Sequence, residues 1–491
     1  MSKKIIIVGS GISSLSCASY LAKEGHQVKI LEKNPTIGGR ARKFDVDGFV
    51  FDMGPSWYWM PDVFEKFYAD FNHKVEDFYE LKRLDPSYQV IWKDGTKDPI
   101  PANLDEFKAW FESLEKGSAA KLDQFLEEAA YKYDVGMNDL VQKPSLKYTE
   151  FADVRILKGM FKMHLFSSFS KYIRKYFSHP KIIELLEFPV LFLGAMPKDT
   201  PALYSLMNYA DISLGTWYPM GGMHKIIEAF SSIALEQGVT IETEAEVTGF
   251  QYKGNAVTAV ECKDGRLFEA DQVISGADYA HTDFDILKEN ANYSEQYWDK
   301  RVMAPSSLLF YLGVDKKIDN LEHHNLFFDE DFNQHAVEIY KDAQWPSAPL
   351  FYACCPSKTD TTVAPEGKEN LFLLVPLAPD LQDDEEKREL YYNSIMDRLE
   401  KHTGQNIKEH VIYKRSFCVD DFKKDYHAFK GNAYGLANTL KQTAVFKPRL
   451  KNKTIKNMFY TGQLTVPGPG VPPSIVSGKV VANEVIKAIN K

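Results

Sequence analysis

Cysteine is scarce in this chain: Cys17, Cys262, Cys354, Cys355 and Cys418 are the five among 491 residues, and none shows C-x-x-C or metal-ligand spacing. That pattern excludes a disulfide framework, gives no metal site in the sequence, and points to reduced thiols in a cytoplasmic setting. Long apolar runs are missing as well. The longest charge-free apolar stretch, Phe188 to Pro197, falls far below the ~20 residues that a membrane-spanning helix requires. Positive charge is not in excess. With 59 Lys and Arg against 68 Asp and Glu, the net charge of −9 argues against general nucleic-acid binding. No internal repeat or low-complexity linker is visible, and Met1 to Lys4 lead straight into an apolar run, so no secretory leader is expected. What is present is a globular composition, 44% hydrophobic over a length that can hold two or three structural units.

The densest information lies between Ile5 and Arg40. Ile5, Ile6, Ile7 and Val8 form a short β-rich run, after which Gly9 and Gly11 let the backbone turn sharply and approach a pyrophosphate closely. Leu15, Ala18 and Leu21 then repeat at helical spacing, Gly25 suits a helix end, and Val28 and Ile30 alternate into a second strand finishing at Glu32. Glu32 stands where a ribose 2′-hydroxyl needs an acceptor, roughly 20 residues after the turn. The third glycine of the usual fingerprint is replaced by Ser14, at a position that serves helix-to-strand packing. A second glycine turn, Gly38-Gly39-Arg40, follows the ribose strand and adds a forked guanidinium suited to phosphate oxygens.

These residues, with Asp52-Met-Gly54-Pro-Ser56, Trp217-Tyr-Pro-Met-Gly-Gly-Met223, Glu269 to Asp278, and Thr461-Gly462 followed by Val466-Pro-Gly-Pro-Gly-Val-Pro-Pro-Ser474, resemble the bacterial-type phytoene desaturases within the flavoprotein amine oxidase group. The likeness spans most of the chain and is weakest at about 100–180 and 315–410. It implies an α/β fold: a Rossmann-like FAD-binding domain assembled from 1–90, 214–285 and 445–491, an interleaved sheet-based substrate domain from 91–145 and 286–444, and a helical membrane-facing lobe over 146–213. FAD is the implied cofactor. Gly462 would lie on its pyrophosphate, the backbone of Val247 would hold adenine, and a helix starting near Ser474 would point its N-terminus at the flavin, where dipole and N–H groups stabilise an anion by about 0.3–2 kcal/mol.

The implied substrate is a carotenoid, phytoene or a later intermediate, with oxygen or a quinone as electron acceptor. Exposing such a hydrocarbon to water costs about 0.8 kcal/mol per methylene-sized unit, so the enzyme is expected to dock on the cytoplasmic membrane surface. Residues 150–180 are the candidate element. Leu157, Phe161, Leu165, Phe169 and Ile173 recur every four residues, and Lys158 to Lys181 contains six basic residues without Asp or Glu. A helix packed on the core with a solvated basic face gives the same pattern.

Catalytic residues are harder to read. Asp153 and Arg155 fall, by loose alignment, near an acidic and basic pair suited to assist proton removal; surface charges at a helix start read the same way. Trp57, Tyr58 and Trp59 can offer π faces to an allylic cation or simply pack in the core. His427 can line the site or be structural. Four other functions share the expected scaffold: a desaturase of a later, hydroxylated or cyclised carotenoid, a carotene isomerase, a prenyl-lipid-binding carrier without catalysis, and an amine oxidase with a polar substrate.

Overall fold

The computed structural model describes residues 1–151, 167–191, 194–439 and 441–491. Asp153 and Arg155 lie outside the described residues. Two sheets organise the rest. In chain order their strands are β1 (Lys4–Val8), β2 (Gln27–Leu31), β3 (Tyr88–Trp92), β4 (Lys97–Ile100), β5 (Thr240–Glu242), β6 (Gln272–Ser275), β7 (Ser306–Val314), β8 (His324–Phe328), β9 (Phe351–Cys354), β10 (Glu369–Leu377), β11 (Val411–Phe417) and β12 (Met458–Tyr460).

The first sheet is parallel, in the order β12-β6-β1-β2-β5, so strands from both ends and the middle of the sequence form one unit. Strands β1, β6 and β12 are largely apolar and buried because helices cover the faces, whereas the edge strand β5 is exposed to half-buried. Helix α1 (Ile12–Lys23) packs lengthwise on the final helix, α4 (Val471–Ile489), with α2 (Lys225–Glu236) on its other side. Small residues set the approach of α1 and α4: a Cβ on Gly478 would stand 2.5 Å from Ser13 O and 2.6 Å from Ser16 Cβ. Ser14 is fully buried, and its hydroxyl fills the space beside Gly276 after β6, where an added Cβ would meet it at 2.0 Å.

The second sheet is seven-stranded, in the order β11-β7-β10-β9-β8-β3-β4, antiparallel except where β8 runs parallel to β3. β3 begins at Tyr88, so the expected limit at residue 90 cuts through a strand of the second sheet. The strand period of two divides each strand's side chains between two surroundings. Leu371, Leu373, Val375 and Leu377 of β10 face a core under the helix Glu385–Thr403, whereas Phe372, Leu374 and Pro376 face the cavity described below.

One sequence expectation needs correction. The alternating apolar residues from Val239 to Phe250 read as one strand, but the structure splits it: Thr240–Glu242 joins the parallel sheet, the chain turns at Glu244 (φ 53°), and Val247–Lys253 starts a separate antiparallel sheet. The cationic segment lies only partly within the described residues. In its described part, Phe169, Tyr172, Ile173 and Phe177 are buried, with the rings of Tyr172 and Phe177 against Phe125, while Lys171, Arg174 and Lys175 are exposed. Those four side chains belong to the protein's own core, whereas Leu157, Phe161 and Leu165 lie outside the described residues. Among the described residues no helix is long and apolar enough to cross a membrane.

Candidate functional site

One cavity joins the two sheets. It encloses about 2920 Å³ of space free of atoms, its open mouth included. One part is a polar cradle at the carboxyl ends of β1 and β2, and the other is an apolar arm against the second sheet.

The cradle is built by backbone. Gly9 (φ 86°) turns the chain after β1, and nothing lies within 4 Å of where a Gly11 Cβ would be, leaving open space in front of the α1 N-terminus. Gly39 (φ 56°) approaches so closely that its Cβ position is 3.3 Å from Gly11 Cα. Gly54 has no room for a side chain at all, since a Cβ would stand 2.4 Å from Arg40 O. Gly462 (φ 108°) borders the cavity from the loop after β12.

Glu32 is 3% exposed and fixed from both sides. Ser10 donates its N–H and hydroxyl to one carboxylate oxygen (2.9 and 2.7 Å), and Asn34 donates its N–H and side-chain amide to the other (2.8 and 3.0 Å). Ala245 N–H bonds to Glu32 O at 2.8 Å, and this contact brings Ala245 to Val247 onto the cavity beside the carboxylate.

Arg40 faces the same space. Its guanidinium lies over the Tyr426 ring (5.1 Å) and donates to Asn432 O (3.3 Å), but Nε is buried without a partner. Burial pushes its pKa down, opposed by Asp278. A buried cation with an unused donor, next to three glycines that admit close backbone approach, fits a pyrophosphate. The residues present therefore fit FAD.

Helix α4 starts at Val471, three residues before the expected Ser474. Pro472 and Pro473 occupy its first turn, so fewer free N–H groups face the cavity than a helix N-terminus usually offers. Ser474 borders the cavity while its hydroxyl bonds back to Gly470 O at 2.8 Å. His427 sits at the cradle's edge, stacked on His281 (3.9 Å) and 3.4 Å from Glu246, so it is remote from the apolar arm; burial and His281 lower its pKa to about 4.

The aromatic triplet divides by side. Trp57 and Trp59 line the cavity, whereas Tyr58 is fully buried, stacked on Phe64 and bonded to the Tyr79 hydroxyl (3.1 Å). Trp57 stacks on His324 at 4.1 Å and 12°.

The Asp52 and Gly221-Gly222 motifs prove to be two halves of one joint. Asp52 accepts N–H bonds from Met223 (2.7 Å) and His224 (2.8 Å) at the start of α2, and a Cβ on Gly222 would be 2.9 Å from its carboxylate. Burial raises its pKa to about 6.

Sequence reasoning missed the arm. Its walls come from β7, β8, β9, β10 and a helix α3 (Phe332–Tyr340), including Leu326, Phe328, Phe332, Ala336, Ile339 and Leu374. The available signal was the period-two pattern of β10 and β8, which separates the cavity face from the core face.

Residues 12–486 match the family described as flavin containing amine oxidoreductase. The chain belongs to that family. It is an FAD-dependent oxidoreductase. Over 487 residues it is 38% identical to a carotenoid 3,4-desaturase of Haloarcula japonica, covering 99% of this chain and 98% of the relative. A zeta-carotene-forming phytoene desaturase of Myxococcus xanthus is 28% identical, with 99% and 94% covered. Among solved structures, an oxidoreductase of Methanosarcina mazei shares the fold at a TM-score of 0.66 and 16% identity, with 99% and 100% covered.

Proposed function

We propose that this chain is a carotenoid desaturase that takes phytoene, or a later carotenoid, at the cytoplasmic membrane face and converts isolated single bonds into conjugated double bonds. The observation that carries this reading is the continuity of the nucleotide cradle with a long apolar arm. Bound FAD supplies a hydride acceptor. The chain itself must hold a featureless hydrocarbon against that acceptor, keep water out and leave the proton lost from the neighbouring carbon a way to depart. Leu326, Phe328, Phe332, Ile339 and Leu374 supply a wall without hydrogen-bonding groups, and Trp57 and Trp59 offer π faces near the junction with the cradle. Oxygen or a membrane quinone then takes the electrons.

The 38% identity to a carotenoid 3,4-desaturase, against 28% to a phytoene desaturase, favours a second reading in which the substrate is a later intermediate already carrying conjugation. A prenyl-lipid carrier is disfavoured because it needs neither Glu32 held by four hydrogen bonds nor the unused donor of Arg40.

An anaerobic single turnover separates these readings. Protein with FAD meets phytoene in liposomes, and flavin bleaching is followed while the extracted pigment is analysed. Bleaching with new conjugated double bonds is the expected result. Bound flavin with unchanged phytoene, but turnover of a more desaturated carotenoid, supports the second reading. Altered double-bond geometry without loss of hydrogen identifies an isomerase, and failure to bind flavin overturns both desaturase readings.

A further inference from the structure

Three buried side chains beside the arm have no part in the chemistry above. His324 and Cys354 are direct partners in the β8–β9 ladder, and Cys355 N–H bonds to His323 O at 2.8 Å, so strand pairing gathers His323, His324 and Cys354. One ligand atom from each lies within 4.8 Å of the other two, and all three residues are buried. The sequence conceals this, because Cys354 lies thirty positions away from His324 with no ligand spacing between them.

The two imidazoles are arranged alike. Nδ1 of His323 is 2.8 Å from the Thr359 hydroxyl, and Nδ1 of His324 is 2.6 Å from the Tyr352 hydroxyl. Each Nε2 is buried with no hydrogen-bond partner. A ring nitrogen fixed by an oxygen, with the other nitrogen unused, is the arrangement that orients a metal-binding histidine. Two buried imidazoles, each with an unused nitrogen, and a thiol beside them make a donor set that one cation can bridge.

We propose that His323, His324 and Cys354 form a binding site for a borderline-soft transition-metal cation, with Zn²⁺ as its ion, behind the cavity wall. The donor set of two imidazoles and a thiolate suits such an ion and disfavours Mg²⁺ or Ca²⁺, which take oxygen ligands. Bonds of about 2.0–2.3 Å require ligand separations of roughly 3.3–3.8 Å, so the three atoms draw together by about one ångström. A small cavity lined by Asp52, Ser56, Tyr218, His323 and Cys354 adjoins the group and leaves room for a fourth ligand such as water. Binding forms the metal–sulfur bond and releases the Cys354 thiol proton to solvent, so uptake strengthens as pH rises. Because Trp57 stacks on His324, the ion fixes the ring against which the cavity wall is set.

The test uses the full chain with FAD bound and without an oligohistidine tag, stripped with a chelator and titrated with Co²⁺ as a coloured stand-in for Zn²⁺. The expected result is saturation at one ion per chain, with a thiolate-to-cobalt charge-transfer band that Zn²⁺ displaces. Cys354→Ser abolishes the band and His323→Gln weakens binding by about tenfold or more, while Cys355→Ser changes neither. A wild-type titration without a saturable thiolate band overturns the proposal whether or not the variants fold, and so does a band that survives Cys354→Ser.

Discussion

The cradle and the arm border the same cavity, yet they obtain selectivity from opposite materials. In the cradle, backbone does the recognition: glycines at Gly9, Gly39, Gly54 and Gly462 leave side chains out, and two ionic groups, Glu32 and Arg40, supply direction. In the arm, side chains form the entire wall, and its ionisable members are kept neutral. His335, on α3, shows this. Its Nδ1 accepts the Leu350 N–H at 3.2 Å, and burial lowers its pKa to about 4, so the ring is uncharged at neutral pH. A dinucleotide offers charge and hydroxyls at fixed spacing, whereas a long hydrocarbon offers only shape. The cradle should therefore fail sharply when single groups are removed, and the arm should change by degrees.

The largest effect is expected at Glu32. Glu32→Ala removes the ribose acceptor and leaves the Ser10 and Asn34 donors unsatisfied, at about 1–3 kcal/mol for each group stranded; FAD affinity, measured by fluorescence titration, should fall by about a hundredfold or more. Arg40→Met should weaken FAD by about 1.5–3 kcal/mol, the range for a hydrogen bond to a charged group, with the loss reduced at high salt. If either variant binds FAD normally, the contrast between the two regions breaks.

His335 gives a pH signature. Its folded pKa of about 4 lies below the ordinary value of 6.5, so the unfolded chain takes up the proton first. Stability is therefore full above pH 6.5 and falls as pH drops toward 4, by roughly 2 kcal/mol between pH 7.5 and 5 from this ring alone. The buried carboxyl of Asp52, raised to about 6, acts in the opposite sense. Urea unfolding of wild type and His335→Gln at both pH values isolates the histidine: the variant should lose about 2 kcal/mol less on acidification.

The smallest effect belongs to the arm. Ala336→Leu narrows it by three carbons, and overpacking of about 1–3 kcal/mol should reduce kcat/KM for the longest substrates by about tenfold while FAD affinity stays at the wild-type level. Equal damage to FAD binding would show that the two regions are not separable.

The same contrast explains what could be read from the sequence. Gly9, Gly11, Glu32, Gly38, Gly39 and Arg40 were legible because a phosphate cradle needs particular residues at particular spacings, and the cavity borders all of them. Asp52 was seen only as part of a motif; its role, joining two glycine turns across more than 150 positions, required the fold. The arm left almost no trace, since any apolar side chain of suitable volume serves, and Leu326 or Ile339 looks like ordinary core until β8 and α3 are set around the cavity. Helix α4 began earlier than expected because two prolines fit a first helical turn as readily as a preceding loop.

On the proposed function, flavin and polyene share one continuous cavity. The most direct measurement titrates FAD-loaded protein in detergent micelles with a conjugated carotenoid and records flavin fluorescence, with free FAD removed beforehand. Saturable quenching at one polyene per chain, with FAD retained, is the predicted result. Saturable polyene binding that leaves flavin fluorescence unchanged, or that expels FAD into solution, would place the two ligands in separate or competing sites.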